Sequence, residues 1–198
     1  MALVMGADIA RFGDDLSVVA IRDNNRILEL ITMEKLDNVE VAGRIQELAR
    51  IHKPDLINVD SIGLGAGVVD ILKSNDLPVH GVNVAEPSGI VDEKGNRLYA
   101  NLRAELWWTL REALDPKNPE PLLLPPDDEL LADLAAPTFK YNPRGQIQIE
   151  PKEDTKKRLK RSPDRGDAVM LTFAHPDEQP VYEIVGSAPV VGGQYGQY

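Results

Sequence analysis

Residues 3–33 read LVMGADIARFGDDLSVVAIRDNNRILELITM, and the rest of the architecture is organised around them. Within this stretch, residues 3–10 form an almost unbroken apolar run, the pattern of a buried strand, followed by a turn-like FGDD at 12–15. Residues 16–22 and 26–33 are rich in Val, Ile and Leu and flank Asp23, Asn24 and Asn25, residue types that accept tight-turn geometry. Three consecutive antiparallel strands are therefore expected to open the fold. Asp8 lies inside the first of them. An unpaired buried carboxylate is costly, so Asp8 should be hydrogen-bonded, paired with a cation or bound to a metal.

Downstream of the strands, Val39, Ala42, Ile45, Leu48 and Ala49 recur at helical spacing up to His52. DLINV at 55–59 reads as a buried strand, GLGAGVVDILKSN at 63–75 as a helix and VHGVNV at 79–84 as another strand. The β-α-β-α-β order implies parallel pairing with helices over the sheet. A long polar loop is expected at 85–98. A helix follows over Tyr99–Leu114, with Leu102, Leu106, Leu110 and Ala113 on one stripe and Pro116 and Pro119 beyond its end. A short helix is expected at 127–135, and a hairpin is expected from 139–141 and 146–149 around Asn142 and Gly145. The last helix should begin with Ser162 as N-cap, Pro163 in its first turn and Asp164 beside it, and run to about His175. The fold class is thus α/β with a mixed central sheet. Residues 1–176 would form one domain and 177–198, which contain no Lys or Arg, a flexible tail.

Composition narrows the chemistry. The 198 residues carry 22 basic and 32 acidic side chains, a net charge of −10, and no cysteine. Disulfides, thiolate metal sites and a cysteine nucleophile are excluded. No apolar run is long enough to span a membrane and no basic segment opens a signal peptide, so a cytosolic protein is expected. An acidic chain needs a local basic patch to hold nucleic acid. Lys156, Lys157, Arg158, Lys160 and Arg161 supply one, with Arg144 and Lys140 as weaker candidates on the hairpin.

Asp60 follows LINV at the C-terminal end of a predicted parallel strand, where open α/β sheets place ligands. Asp167 lies one turn after Asp164, so the two share a helix face. Gly166 beside it costs a helix about 1 kcal/mol relative to Ala, and a small residue there would admit close approach of sheet, metal or substrate. Each acid also has an ordinary explanation: a backbone acceptor in a strand, a loop cap, or a partner of the helix dipole. Taken together, and without cysteine or clustered histidine, the carboxylates favour hard Mg²⁺ or Mn²⁺ over zinc. Trp107 and Trp108 read as packing residues. The glycines at 63, 65 and 67 form a weak phosphate-cradle pattern, and His52, His80 and His175 lack metal-ligand spacing.

Four blocks, GADIARFGDDLSVVAI at 6–21, VDSIGLGAGVVDIL at 59–72, YANLRAELWWTLREAL at 99–114 and RSPDRGDAVMLTF at 161–173, resemble the C-terminal nuclease domain of the large terminase subunit of tailed bacteriophages. The resemblance covers residues 3–175. It implies a ribonuclease H-like fold and double-stranded DNA cleavage with two divalent ions during genome packaging in the cytoplasm of the infected bacterium. It also implies Asp8, Asp60 and Asp167 as the metal-binding triad, with Asp164 as an auxiliary ligand. Members of that family carry an N-terminal packaging ATPase and work with portal and small terminase subunit. No GxxxxGK[ST] motif occurs in this sequence, so ATP hydrolysis is not implied and no organic cofactor is expected. An isolated nuclease domain starting at an introduced Met is expected, whose tail contacts the portal or another packaging component. A junction resolvase or transposase on the same fold, an actin-like ATPase or kinase, and a non-catalytic docking module are the alternative readings.

Overall fold

The computed structural model describes residues 2–10 and 16–176. The expected turn at 12–15 and the expected tail at 177–198 lie outside the described residues. Five strands form one sheet in the order β3-β2-β1-β4-β5. They are β1 (Leu3–Asp8), β2 (Ser17–Asp23), β3 (Arg26–Met33), β4 (Leu56–Asp60) and β5 (Val79–Val82). The first three pair antiparallel, and Asn24 takes the left-handed turn between β2 and β3 with φ 50°. β1 pairs parallel with β4, and β4 parallel with β5. This is the mixed sheet read from the sequence.

Helices cover both faces. On one face, α1 (Asn38–His52) and α2 (Gly65–Ser74) bury Ile45, Leu48, Val68 and Leu72 against Met5, Ile21 and Ile57. Asp37 caps α1 by accepting from Val39 N and Glu40 N, while the Glu40 side chain returns a bond to Asp37 N. On the other face, α3 (Leu102–Ala113), α4 (Asp128–Ala135) and α6 (Asp164–Leu171) bury Leu106, Trp107, Leu130 and Met170 against Val18 and Ala20. The hairpin β6 (Phe139–Tyr141) and β7 (Ile147–Ile149) forms as expected and pairs antiparallel. No helix among the described residues is long and apolar enough to cross a membrane.

The C-terminal part departs from expectation. Residues 152–159, KEDTKKRL, form a helix, α5 (Lys152–Leu159), in a segment whose only buried side chain is Thr155. Its apolar pattern is too sparse to announce a helix. It is held instead by polar contacts, from Arg158 to the Ala136 carbonyl at 2.7 Å and from Thr155 to Glu150 at 3.2 Å. Ser162 does not cap α6: Pro163 occupies the cap position and no side chain there accepts a helix amide. The Ser162 hydroxyl bonds the Asp164 carboxylate instead. α6 ends at Leu171 rather than near His175, because Asn58, buried in mid-strand β4, draws the carbonyls of Leu171 and Ala174 to its amide at 2.9 and 2.7 Å.

Candidate active site

Parallel pairing sets Ala7 level with Val59, so Asp8 and Asp60, the next residues along, leave the sheet side by side at the C-terminal ends of β1 and β4. The turn after β4 is tight. Asp60 Oδ1 accepts from Ile62 N at 2.9 Å, and a Cβ at Gly65 would fall 1.7 Å from the Asp60 carbonyl oxygen. Gly65 therefore serves backbone packing, which accounts for this glycine of the suspected phosphate cradle without a ligand.

α6 lies across β1 and brings two further carboxylates to the same end of the sheet. Asp164 accepts from Leu16 N at 3.0 Å. Asp167 accepts from Trp107 Nε1 at 3.2 Å and from Arg103 Nη2 at 3.5 Å. Arg103 is itself held by the Glu150 carbonyl at 2.8 Å. At the centre sits Lys152, whose Nζ lies 2.8 Å from Asp8, 3.0 Å from Asp167 and 3.2 Å from Asp164. The three carboxyl residues are only 5%, 4% and 5% exposed.

Electrostatics separates these acids. Burial pushes the Asp8 carboxyl up to about 7, with Asp167 and Asp164 adding to the rise and Lys152 opposing it. Burial also opposes ionisation of Asp167, but the charges of Lys152 and Arg103, with the hydrogen bond from Trp107, hold its pKa below the usual value. Asp60 is raised by burial, against the Ile62 amide and the charge of Lys152. Lys152 is held well above the ordinary lysine value; desolvation works against its charge, but Asp8, Asp167 and Asp164 prevail. Lys152, with Arg103 beside Asp167, thus compensates a cluster of acids that would otherwise repel one another.

Among the described residues, no three His, Cys, Asp or Glu side chains are already spaced to hold a metal ion. The reason is visible in the geometry: the carboxylates close on an ammonium group. Their chemistry nonetheless suits a hard divalent cation. The donors are all oxygen, they already surround a positive charge, and Asp167 Oδ2 is buried without a hydrogen-bond partner, having only its ion pair with Lys152.

The structure brings Asp8, Asp164 and Asp167 around one group and sets Asp60 beside them within electrostatic reach. The basic segment is less uniform. Arg158 pairs with Glu150, Arg161 with Asp133 and Lys157 with Asp154, while Lys160, Lys140 and Arg144 are exposed. Sequence reasoning missed Lys152 and Arg103 as parts of the site, and it treated Trp107 as packing alone. Lys152 meets Asp8 across 144 positions of chain, and no local pattern marks it apart from its basic neighbours. Gly166 does admit a close approach, but of Asp133 and Trp107: a Cβ there would lie 3.0 Å from each, rather than against sheet, metal or substrate.

No protein-family model matches the sequence, and no curated protein matches it. Solved structures do. The nuclease domain of the large terminase subunit gp2 of bacterial virus Sf6 superposes with a TM-score of 0.76 at 21% identity, over 89% of each chain. The large terminase nuclease of thermophilic phage G20c, with bound magnesium, gives 0.61 at 16% identity over 86% of this chain and 79% of that one. The nuclease domain from Thermus phage P74-26 gives 0.60 at 16% identity, covering 87% and 78%. A mutant Sf6 domain also occurs with manganese and the G20c nuclease with cobalt. The chain thus has the ribonuclease H-like α/β fold that these large terminase nuclease domains share.

Proposed function

We propose that this chain is a divalent-metal-dependent endonuclease that cuts double-stranded DNA during phage genome packaging in the host cytoplasm. It would act beside a packaging ATPase domain, the portal and the small terminase subunit. The observation that carries the reading is the enclosure of Lys152 by Asp8, Asp164 and Asp167 at the sheet end where Asp60 emerges. It stands on a fold otherwise seen in terminase nucleases, some of which hold magnesium, manganese or cobalt.

In this reading Asp8, Asp60 and Asp167 hold two ions, Mg²⁺ or Mn²⁺, and Asp164 is the auxiliary ligand. Bound there, such ions supply an activated water and stabilise the leaving oxygen of an in-line phosphodiester displacement. Trp107 and Arg103 fix the orientation of Asp167 and favour its ionised form. Lys152 keeps the acids together in the metal-free chain. The exposed cations of 156–161, with Arg144 and Lys140, grip backbone phosphates, and the absence of a base-reading motif makes cleavage weakly dependent on sequence.

The test is incubation of supercoiled plasmid with the chain and Mg²⁺ or Mn²⁺, with and without chelator. Nicked and linear products that appear only with metal support the proposal. Intact plasmid under every metal condition overturns it.

A further inference from the structure

We propose that Asp133 is a positioning residue for the acids of α6: from helix α4 it caps the helix that carries Asp164 and Asp167 and so fixes the two carboxylates in place. The inference rests on the metal-site reading above. The first amides of any helix lack partners inside it, and a neighbouring side chain normally accepts from them. That local partner is missing here, because Pro163 offers no acceptor and the Ser162 hydroxyl is turned to Asp164. Asp133 takes over from 33 residues away. Its Oδ2 accepts from Arg165 N at 3.1 Å and from Gly166 N at 3.3 Å.

Asp133 is fully buried, and a carboxylate at such a place must be compensated. Arg161 pairs with its other oxygen at 2.5 Å and also donates to the carbonyls of Ser162 and Glu129, tying α4 to the segment that enters α6. Gly166 completes the clamp. A Cβ at that position would meet Asp133 Cβ and Trp107 Cη2, both at 3.0 Å. The first turn of α6 is therefore seated between the residue that caps it and the residue whose indole donates to Asp167. Asp164 and Asp167 both lie in that first turn, so fraying or rotation there displaces both acids, although the hydrogen bonds of Asp133 go to Arg165 N and Gly166 N.

The experiment measures Mn²⁺ binding by calorimetry, together with kcat and KM for plasmid cleavage, on the full chain well below each variant's melting temperature. Asp133→Ala removes the acceptor, Asp133→Asn keeps an oxygen for the two amides, and Ile45→Ala weakens the core on the opposite face of the sheet. Removing a residue that orients a metal ligand typically weakens metal binding by about 10- to 100-fold. A loss of that size is expected in Asp133→Ala, with kcat reduced more than KM is raised, most of the affinity recovered in Asp133→Asn, and wild-type affinity in Ile45→Ala. If Asp133→Ala does not fold, Gly166→Ala presses on the same clamp and should weaken Mn²⁺ binding in a folded chain. Wild-type Mn²⁺ affinity in a folded Asp133→Ala or Gly166→Ala, or an equal loss in Ile45→Ala, overturns the positioning role while leaving the metal site intact. Absence of Mn²⁺ binding by the wild-type chain overturns the metal-site reading and this inference with it.

Discussion

A Cβ at Gly6 would lie 2.2 Å from the carbonyl oxygen of Ala168 and 2.8 Å from the amide nitrogen of Thr172, so β1 and α6 meet backbone to backbone. This contact sits two residues before Asp8 and one residue after Asp167 along their respective elements. It sets the distance between the strand acid and the helix acids, and it leaves no freedom for a side chain at position 6.

Gly6→Ala should therefore be more damaging than an ordinary core change. Overpacking typically costs about 1–3 kcal/mol, and here the obstruction is main chain that cannot change rotamer. Urea unfolding should show a loss at or above that range, together with loss of cleavage. Wild-type stability would show that α6 can ride away from β1 at little cost.

Substitution of the acids should separate them by role. Asp8→Asn, Asp60→Asn and Asp167→Asn remove metal-binding charge but little volume, and each should lower plasmid cutting by at least about a hundredfold in a folded chain. Asp164→Asn should be milder, since that residue also serves Leu16 N and Ser162. Circular dichroism and a nicking assay on the four variants decide the order, and full activity in two of the first three would remove the triad assignment.

Lys152 and a divalent ion compensate the same acids, so they should substitute for each other in stability. Lys152→Ala leaves Asp8 and Asp164 without their cation and Asp167 with Arg103 alone, and breaking a buried pair in this way costs on the order of 3–5 kcal/mol. In chelator its melting temperature should fall well below wild type. Saturating Mn²⁺ should then raise it by more than it raises wild type, because a ligand that binds only the folded chain stabilises it. Equal shifts in the two proteins would mean that Lys152 and the ion do not share partners.

The pH dependence of the metal-free chain follows from Asp8. Its folded carboxyl is pushed up to about 7, above the unfolded value of 3.8. The stability this group contributes is thus fully present below the unfolded value and is lost as pH rises through 7. Asp60 is shifted in the same direction, whereas the downward shift of Asp167 and the upward shift of Lys152 act outside the interval from pH 5 to 8. Urea unfolding in chelator should show wild type less stable at pH 8 than at pH 5, and Asp8→Asn should flatten the difference. An equal slope in both would place the effect elsewhere.

DNA affinity should depend on the exposed lysines of α5 and its end. Lys160 is exposed and Lys157 is exposed in a surface pair with Asp154, whereas Arg158 and Arg161 are tied to the more buried Glu150 and Asp133. Lys157→Ala/Lys160→Ala should weaken binding to every duplex alike and flatten the salt dependence by roughly one to two units, at about 0.9 for each phosphate no longer neutralised. Titration of duplex binding against salt in Ca²⁺ reads this directly. An unchanged slope would direct attention to Lys140 and Arg144.

The sequence by itself determined the sheet and singled out the acids that the structure gathers at one end of it. Period and turn chemistry are local properties, so the three opening strands, the two βα units and the hairpin could be read from neighbouring residues. Asp8 and Asp60 stood out because a carboxylate inside an apolar strand, or directly after one, contradicts its surroundings, and that contradiction is also local. The tertiary structure alone decided what surrounds those acids. Lys152 joins Asp8 across 144 positions, and Asp133 reaches the start of α6 from a different helix. A lysine in a basic run and an aspartate in a short amphipathic helix look like solvated surface until packing brings the first against buried acids and buries the second. Helix α5 went unread and the start of α6 was misread for the same reason. The contacts that hold them are polar and in part distant in sequence, and such contacts leave no periodic trace in the residues that make them.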